Sequence, residues 1–204
     1  MAACAATSLA QSSGVVATGA KLQNLAGDFE FTEGPTVDSQ GNVCFTDPFY
    51  RRVWWAHDSM PQDGQHVYKL SPDRQTVVRV ATDLKQPNGI IGSPDGRTLF
   101  VADIGAGRTY RYDIRPDGSL ANGLVFCESG SDGMTLDNEG NLYLTGKGVA
   151  VFDKRGRKVE QIDVPEPWSA NVCIGGKDRK TLFITASTGL YAIALRVKGT
   201  NQGK

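Results

Sequence analysis

The chain has 204 residues, long enough for one domain with a sizeable core. Its 22 basic and 22 acidic side chains cancel, which removes the electrostatic footprint of a protein that binds nucleic acid or an anionic membrane surface. No stretch approaches the roughly 20 apolar residues of a membrane-spanning helix, and these features together favour a small, neutral or weakly charged ligand.

The chain opens with MAACAATSLAQSSGVVATGA, which carries no charge before Lys21. Two readings stand: a disordered tail, or the small-residue end of an export signal whose start is missing, with Cys4 as a lipid-attachment cysteine. The second implies a periplasmic or secreted protein, and the first leaves a cytoplasmic one open. Residues 1–20 and 198–204 are set aside as tails, and 21–197 are taken as one folded unit.

From Phe29 onward, alternation and β-branched or aromatic enrichment dominate. Val43–Thr46, His66–Leu70, Thr76–Val80, Thr98–Ala102, Thr109–Asp113, Leu142–Thr145, Gly148–Phe152 and Thr181–Thr185 all read as strands. Turn signals separate them at Ser71-Pro72-Asp73, Pro94-Asp95-Gly96, Pro116-Asp117-Gly118, Asn138-Glu139-Gly140 and Lys154-Arg155-Gly156. No segment sustains helical periodicity, so the chain is all-β. Cys44, Cys127 and Cys173 lack metal-type spacing, and Cys44 and Cys173 fall in apolar strands as buried thiols do.

The strands fall into a repeat. EGPTVDSQGNVCFTD from Glu33, NGIIGSPDGRTLFVAD from Asn88, DGMTLDNEGNLYLTG from Asp132 and NVCIGGKDRKTLFITA from Asn171 share one plan. Each begins on an oxygen-bearing side chain, runs through a short apolar strand, turns, and leaves on a second apolar strand. The starts lie roughly 40–55 residues apart, close to the ~40–50 of a propeller blade. The unit at Asn88 supplies four strands: 89–93, 98–102, 108–114 and 123–127. The last unit runs out after Leu195, so a strand around Lys21–Leu25 is expected to complete it and protect two open edges. If the units surround an axis, Glu33, Asn88, Asp132 and Asn171 converge on it, and their oxygens suit a hard cation.

The Glu-Gly-Pro at Glu33, the Gln-Pro-Asn-Gly with following Ser-Pro-Asp-Gly at Asn88, and the Ser-Asp-Gly-Met at Asp132 resemble the gluconolactonase and regucalcin (senescence marker protein) family, from about Phe29 to Leu195. The stretch DPFYRRVWWAHDSMPQDGQHVY is most similar to the bacterial gluconolactonases. The resemblance implies a six-bladed β-propeller binding one divalent cation in its central channel, with Glu33, Asn88 and Asp132 as ligands. Calcium is the first choice of ion, with magnesium, manganese or zinc as alternatives. It also implies hydrolysis of a sugar lactone, Asp132 acting as general base or acid because it reaches both cation and reacting water. Asn171, His57 and Trp55 are the expected substrate-binding residues. The two tryptophans of Pro48–Gly64 read either as a lid over the channel mouth or as core filling.

The chain departs from the family between Glu33 and Asn88, where about two blades are missing. The break falls near Phe45-Thr46-Asp47-Pro48, and the expected result is a propeller shortened to about four blades. The remaining blades either close into a tighter four-bladed ring, the outcome favoured for the structure, or form an open arc, which exposes apolar blade faces and favours self-association. Two other functions therefore stay open: a remnant that binds metal without turnover, and a protein-interaction platform. Singly, Asn88-Gly89 and Asp132-Gly133 are also ordinary turn pairs. Asp47 and Asp103, which close equivalent strands, read as blade-stabilising residues that bond turn amides. With no Gly-x-Ser-x-Gly, a Ser-His-Asp mechanism has no support.

Overall fold

Acidic turn residues close the hairpins of this chain. Asp95 accepts from Arg97 N at 3.1 Å, Asp117 from Ser119 N at 2.9 Å, and Asp153 from Arg155 N at 2.9 Å and Arg157 N at 3.0 Å. Glycines at positive φ complete these turns at Gly96, Gly118 and Gly156, where a β-carbon would be strained. The computed structural model describes residues 14–26, 33–37, 43–46, 66–70 and 77–200, and among them there is no helix.

Three antiparallel sheets of four strands are complete. The first joins β6 (Pro87–Gly92), β7 (Thr98–Asp103), β8 (Arg108–Ile114) and β9 (Leu120–Cys127). The second joins β10 (Met134–Leu136), β11 (Leu142–Gly146), β12 (Gly148–Phe152) and β13 (Lys158–Ile162). The third runs β14 (Ser169–Gly175), β15 (Thr181–Ala186), β16 (Gly189–Ala194) and then β1 (Gln23–Ala26). The expected N-terminal strand thus completes the last blade, with Gln23 opposite Ala192.

The irregular first unit is split. Strands β2 (Glu33–Val37) and β3 (Val43–Thr46) form one hairpin, and β4 (Val67–Leu70) and β5 (Val77–Ala81) form another. Among the described residues the two hairpins share no sheet. The pair β2–β3 lies against β14 and β15. The pair β4–β5 packs on the first full blade, where Val67, Ala81 and Leu84 meet Val101. Lys69 also reaches the Asp117 carbonyl at 2.7 Å. The whole is a partial propeller with about four blades of strands.

Each blade buries both faces, and the period of two along a strand sorts its side chains between neighbours. On β11, Leu142 and Leu144 face the first blade with Phe100, Cys127, Met134 and Phe152. Tyr143, one residue out of phase, faces the third blade with Val149, Val172, Leu182 and Ile184. Each of these fully buried aliphatic side chains contributes about 1.5–3 kcal/mol. Cys127 and Cys173 are buried free thiols, and burial pushes them up to about 11 and about 12. The side chain of Cys44 lies outside the described residues.

Residues on either side of 21–197 also bond to the blades. Val15 is buried in the core of the last two blades, and Val16 bridges Leu195. Arg196 N donates to Val15 O at 2.9 Å and Ala17 N to Ala194 O at 3.1 Å. At the other end, Asn138 N donates to Lys198 O at 2.8 Å and Thr200 Oγ1 to Leu136 O at 3.3 Å. Backbone hydrogen bonds of this kind need no distinctive composition, so small-residue segments carry them without announcing it. Residues 1–13 and 201–204, with Cys4, lie outside the described residues.

Candidate active site at the inner strand starts

The four repeated oxygen-bearing residues all lie at the starts of innermost strands. Glu33 is the first residue of β2, Asn88 the second of β6, Asp132 stands two before β10, and Asn171 is the third of β14. Contacts run from β6 to β10, from β10 to β14 and from β14 to β2, so these starts follow one another around the axis. Three of them sit where the ladder slips register: between Glu33 and Thr36, between Pro87 and Ile90, and between Ser169 and Asn171. Such irregularities release a residue from pairing and re-aim its side chain.

Close approach brings the starts together. A β-carbon on Gly89 would stand 2.8 Å from the Asp132 carbonyl oxygen, and one on Gly133 would stand 2.8 Å from Asn171 Cα. Neither glycine adopts positive φ. Their role is therefore to let one blade's backbone touch the next, and the turn reading of Asn-Gly and Asp-Gly does not describe them. Asn88 Nδ2 donates to Asp132 Oδ1 at 2.9 Å, which joins two of the three candidate ligands directly. Asn171 Oδ1 accepts from Val172 N at 2.9 Å, while its side chain rests on Gly133. The backbone of Glu33 is placed beside β14, and its side chain lies outside the described residues. His57, Trp55 and Asp47 lie outside them as well.

Buried hydroxyls grip Asp132 from both sides. Ser131 Oγ donates to Gly133 O at 2.5 Å and accepts from Thr145 N at 2.7 Å. Thr145 Oγ1 accepts from Gly133 N at 2.8 Å and lies 3.0 Å from both Gly133 O and Ala170 O, with one proton for the two. The loop before Asn88 is held in a similar way. Fully buried Asp103 accepts from Lys85 N at 2.7 Å, Gln86 N at 2.8 Å and Ala106 N at 3.0 Å, as expected of a residue that bonds turn amides.

These contacts predict a contrast between two buried serines. Removing the Ser131 hydroxyl takes from Thr145 N and Gly133 O their shortest hydrogen bonds and leaves the longer Thr145–Gly133 contacts at 3.2 and 3.0 Å, so S131A should lose about 0.5–1.5 kcal/mol. Ser169 Oγ is equally buried but has no hydrogen-bond partner among the described residues, so S169A should stay within about 0.5 kcal/mol of the parent or gain slightly. Chemical denaturation of both variants measures the difference.

The residue that sequence reasoning missed is Trp168. Its indole Nε1 donates to Asp132 Oδ2 at 3.0 Å, so both oxygens of this carboxylate are engaged by N–H donors. Those donors stand where positive charge would be favoured, and the carboxylate of Asp132 with the amide oxygen of Asn88 supplies hard-oxygen donors to a divalent cation. The Asn88 amide needs only a turn about its last bond to present oxygen in place of nitrogen. Asp132 and Asn88 thus present two donors of the chemistry such an ion accepts. Among the described residues no three His, Cys, Asp or Glu side chains form a cluster that could hold a metal ion.

The sequence pattern of the SMP-30/Gluconolactonase/LRE-like region matches residues 31–188. A lactonohydrolase of Aspergillus oryzae is 28% identical over 212 residues, covering 90% of this chain and 48% of its own. A lactonase of Staphylococcus aureus, drp35, is 31% identical over 160 residues, covering 72% and 47%. This chain thus spans about half the length of the curated relatives it matches. Among solved structures, a chain provisionally assigned as a gluconolactonase superposes with a TM-score of 0.78 at 22% identity, over 92% of this chain and 96% of that one. The gluconolactonase XC5397 of Xanthomonas campestris gives 0.62 at 29% identity, over 85% and 60%. The calcium-binding protein regucalcin of Agrobacterium tumefaciens gives 0.60 at 23%, over 67% and 54%.

Proposed function

The chain belongs to the SMP-30/gluconolactonase/LRE-like family, and on that footing we propose that it hydrolyses a sugar lactone such as an aldonolactone. One divalent cation, calcium first, would be held by Glu33, Asn88 and Asp132. The observation that carries this reading is the direct Asn88–Asp132 contact between successive inner strand starts. Its context is lactonase relatives named in a fungus and in Staphylococcus and a calcium-binding structural neighbour.

When bound, the cation would polarise the lactone carbonyl and stabilise the oxyanion of the tetrahedral intermediate. The chain's own residues do the rest. Asp132 takes a proton from the attacking water and returns one to the ring oxygen as the C–O bond breaks. The product is the open hydroxy acid, which releases a proton at neutral pH. Trp168 holds Asp132 Oδ2 in place, the Ser131–Thr145 hydroxyls hold its backbone, and Asn88, its amide turned, would give its oxygen to the cation. Asn171, with Trp55 and His57, would line the approach of the substrate's hydroxyl groups.

Proton release from glucono-δ-lactone, corrected for spontaneous opening, tests the proposal. Turnover is expected with added calcium or manganese and is expected to vanish with a chelator. The split first unit supports a second reading, a metal-binding remnant without turnover. Among the described residues its hairpins β2–β3 and β4–β5 share no sheet, and Ile90, on the inner strand of the neighbouring blade, is 52% exposed. Cation binding with no lactone turnover would favour that remnant.

A further inference from the structure

The geometry points to Trp168 as a positioning residue for Asp132 that also serves as the platform on which a substrate ring lies. Trp168 is held at every side. Its N–H is spent on Asp132 Oδ2 at 3.0 Å. The far edge of its six-membered ring lies over Gly146, 3.8 Å from where a β-carbon would stand, at ordinary van der Waals distance. Its carbonyl accepts from Ser187 Oγ at 3.5 Å. Pro165 and Pro167 stiffen the approach, and between them Glu166 accepts from the Tyr191 hydroxyl at 2.9 Å.

A large aromatic side chain so fixed would ordinarily be buried, yet Trp168 is 39% exposed. Fixation with exposure describes a surface prepared for contact. An aromatic face suits the apolar C–H face of a pyranose or furanose ring, and its rigidity spares the ordering cost of binding. The tether to Asp132 sets the register: a ring resting on the indole lies beside the carboxylate that must reach the water and the ring oxygen. The two functions divide between two parts of one side chain. The ring face binds, and the N–H aims Asp132.

This inference rests on the lactonase reading for its ligand, and the test separates the two. Glucono-δ-lactone kinetics on W168F and W168A would be combined with tryptophan emission during titration with gluconolactam, whose ring amide resists hydrolysis. W168A should raise KM about tenfold, the scale of an aromatic contact. W168F should keep KM near the parent's while lowering kcat, because the face remains and the N–H is gone. The lactam-dependent emission change should be smaller in W168F than in the parent, with Trp54 and Trp55 supplying what remains. Parental KM and kcat in W168A, or an equal emission change in W168F, would overturn the platform and leave the hydrolase reading standing. No turnover by the parent, with a lactam response that shrinks in W168F, would remove the hydrolase reading and leave the platform.

Discussion

Replacing Asp132 by asparagine should lower lactone turnover by about 10²-fold or more, with little change in thermal stability. The substitution keeps the shape of the side chain and removes its charge. It also leaves one N–H donor facing another, because Asp132 accepts from both Asn88 Nδ2 and Trp168 Nε1 and an amide has only one oxygen. The side chain is not fully buried, so solvent absorbs most of that mismatch and the fold survives. Loss of charge weakens the cation, and loss of the basic oxygen removes the proton acceptor. Glu33→Gln should match the first effect without the second, so excess cation should rescue E33Q in part and D132N hardly at all. Steady-state rates across a calcium titration read this difference. Undiminished turnover in both variants would dismiss the assigned site.

Gly133→Ala should cost about 1–3 kcal/mol in stability and abolish turnover, although it adds a single methyl group outside the charged set. The new β-carbon would run into Asn171 Oδ1 and stand 2.8 Å from Asn171 Cα. A side-chain oxygen can swing away, but Asn171 Cα belongs to strand β14 and moves only with its blade. Either β14 retreats or Asp132 is pushed off the axis, and both disturb the oxygen set. Gly96 provides the control. It has φ +68 and open space around it, so Gly96→Ala should cost about 1 kcal/mol through backbone strain alone and leave turnover intact. Thermal melts together with initial rates distinguish a steric lesion at the site from a merely conformational one.

The strands were legible because period-two alternation and Asp-Gly turns are local signals. The unit at Asn88 shows this: strands expected at 98–102 and 108–114 appear as Thr98–Asp103 and Arg108–Ile114. The closing strand near Lys21 was legible for a different reason, since a blade one strand short leaves an edge that must be covered. The nearness of the Asn88 and Asp132 strand starts could be read from their common phase, and their side chains meet at 2.9 Å.

What escaped the sequence was non-local. The Asn-Gly and Asp-Gly pairs look like turns in isolation. Only the neighbouring blade reveals that Gly89 and Gly133 are glycine because Asp132 and Asn171 come so near. Trp168 lies in a proline-rich connection ahead of its strand, and its partner Asp132 is 36 residues away. No spacing rule joins them. The short interval between Glu33 and Asn88 signalled missing blades, but whether the remaining hairpins would merge depends on blade angles, and among the described residues they share no sheet.

Diffraction from crystals soaked in manganese, collected for its anomalous signal, would examine the shared cation most directly. The account predicts one strong peak per chain at the inner strand starts, about 2.0–2.6 Å from oxygens of Glu33, Asn88 and Asp132 together. A peak bound elsewhere, or a Glu33 carboxylate turned away from a cation held by Asn88 and Asp132, would contradict it.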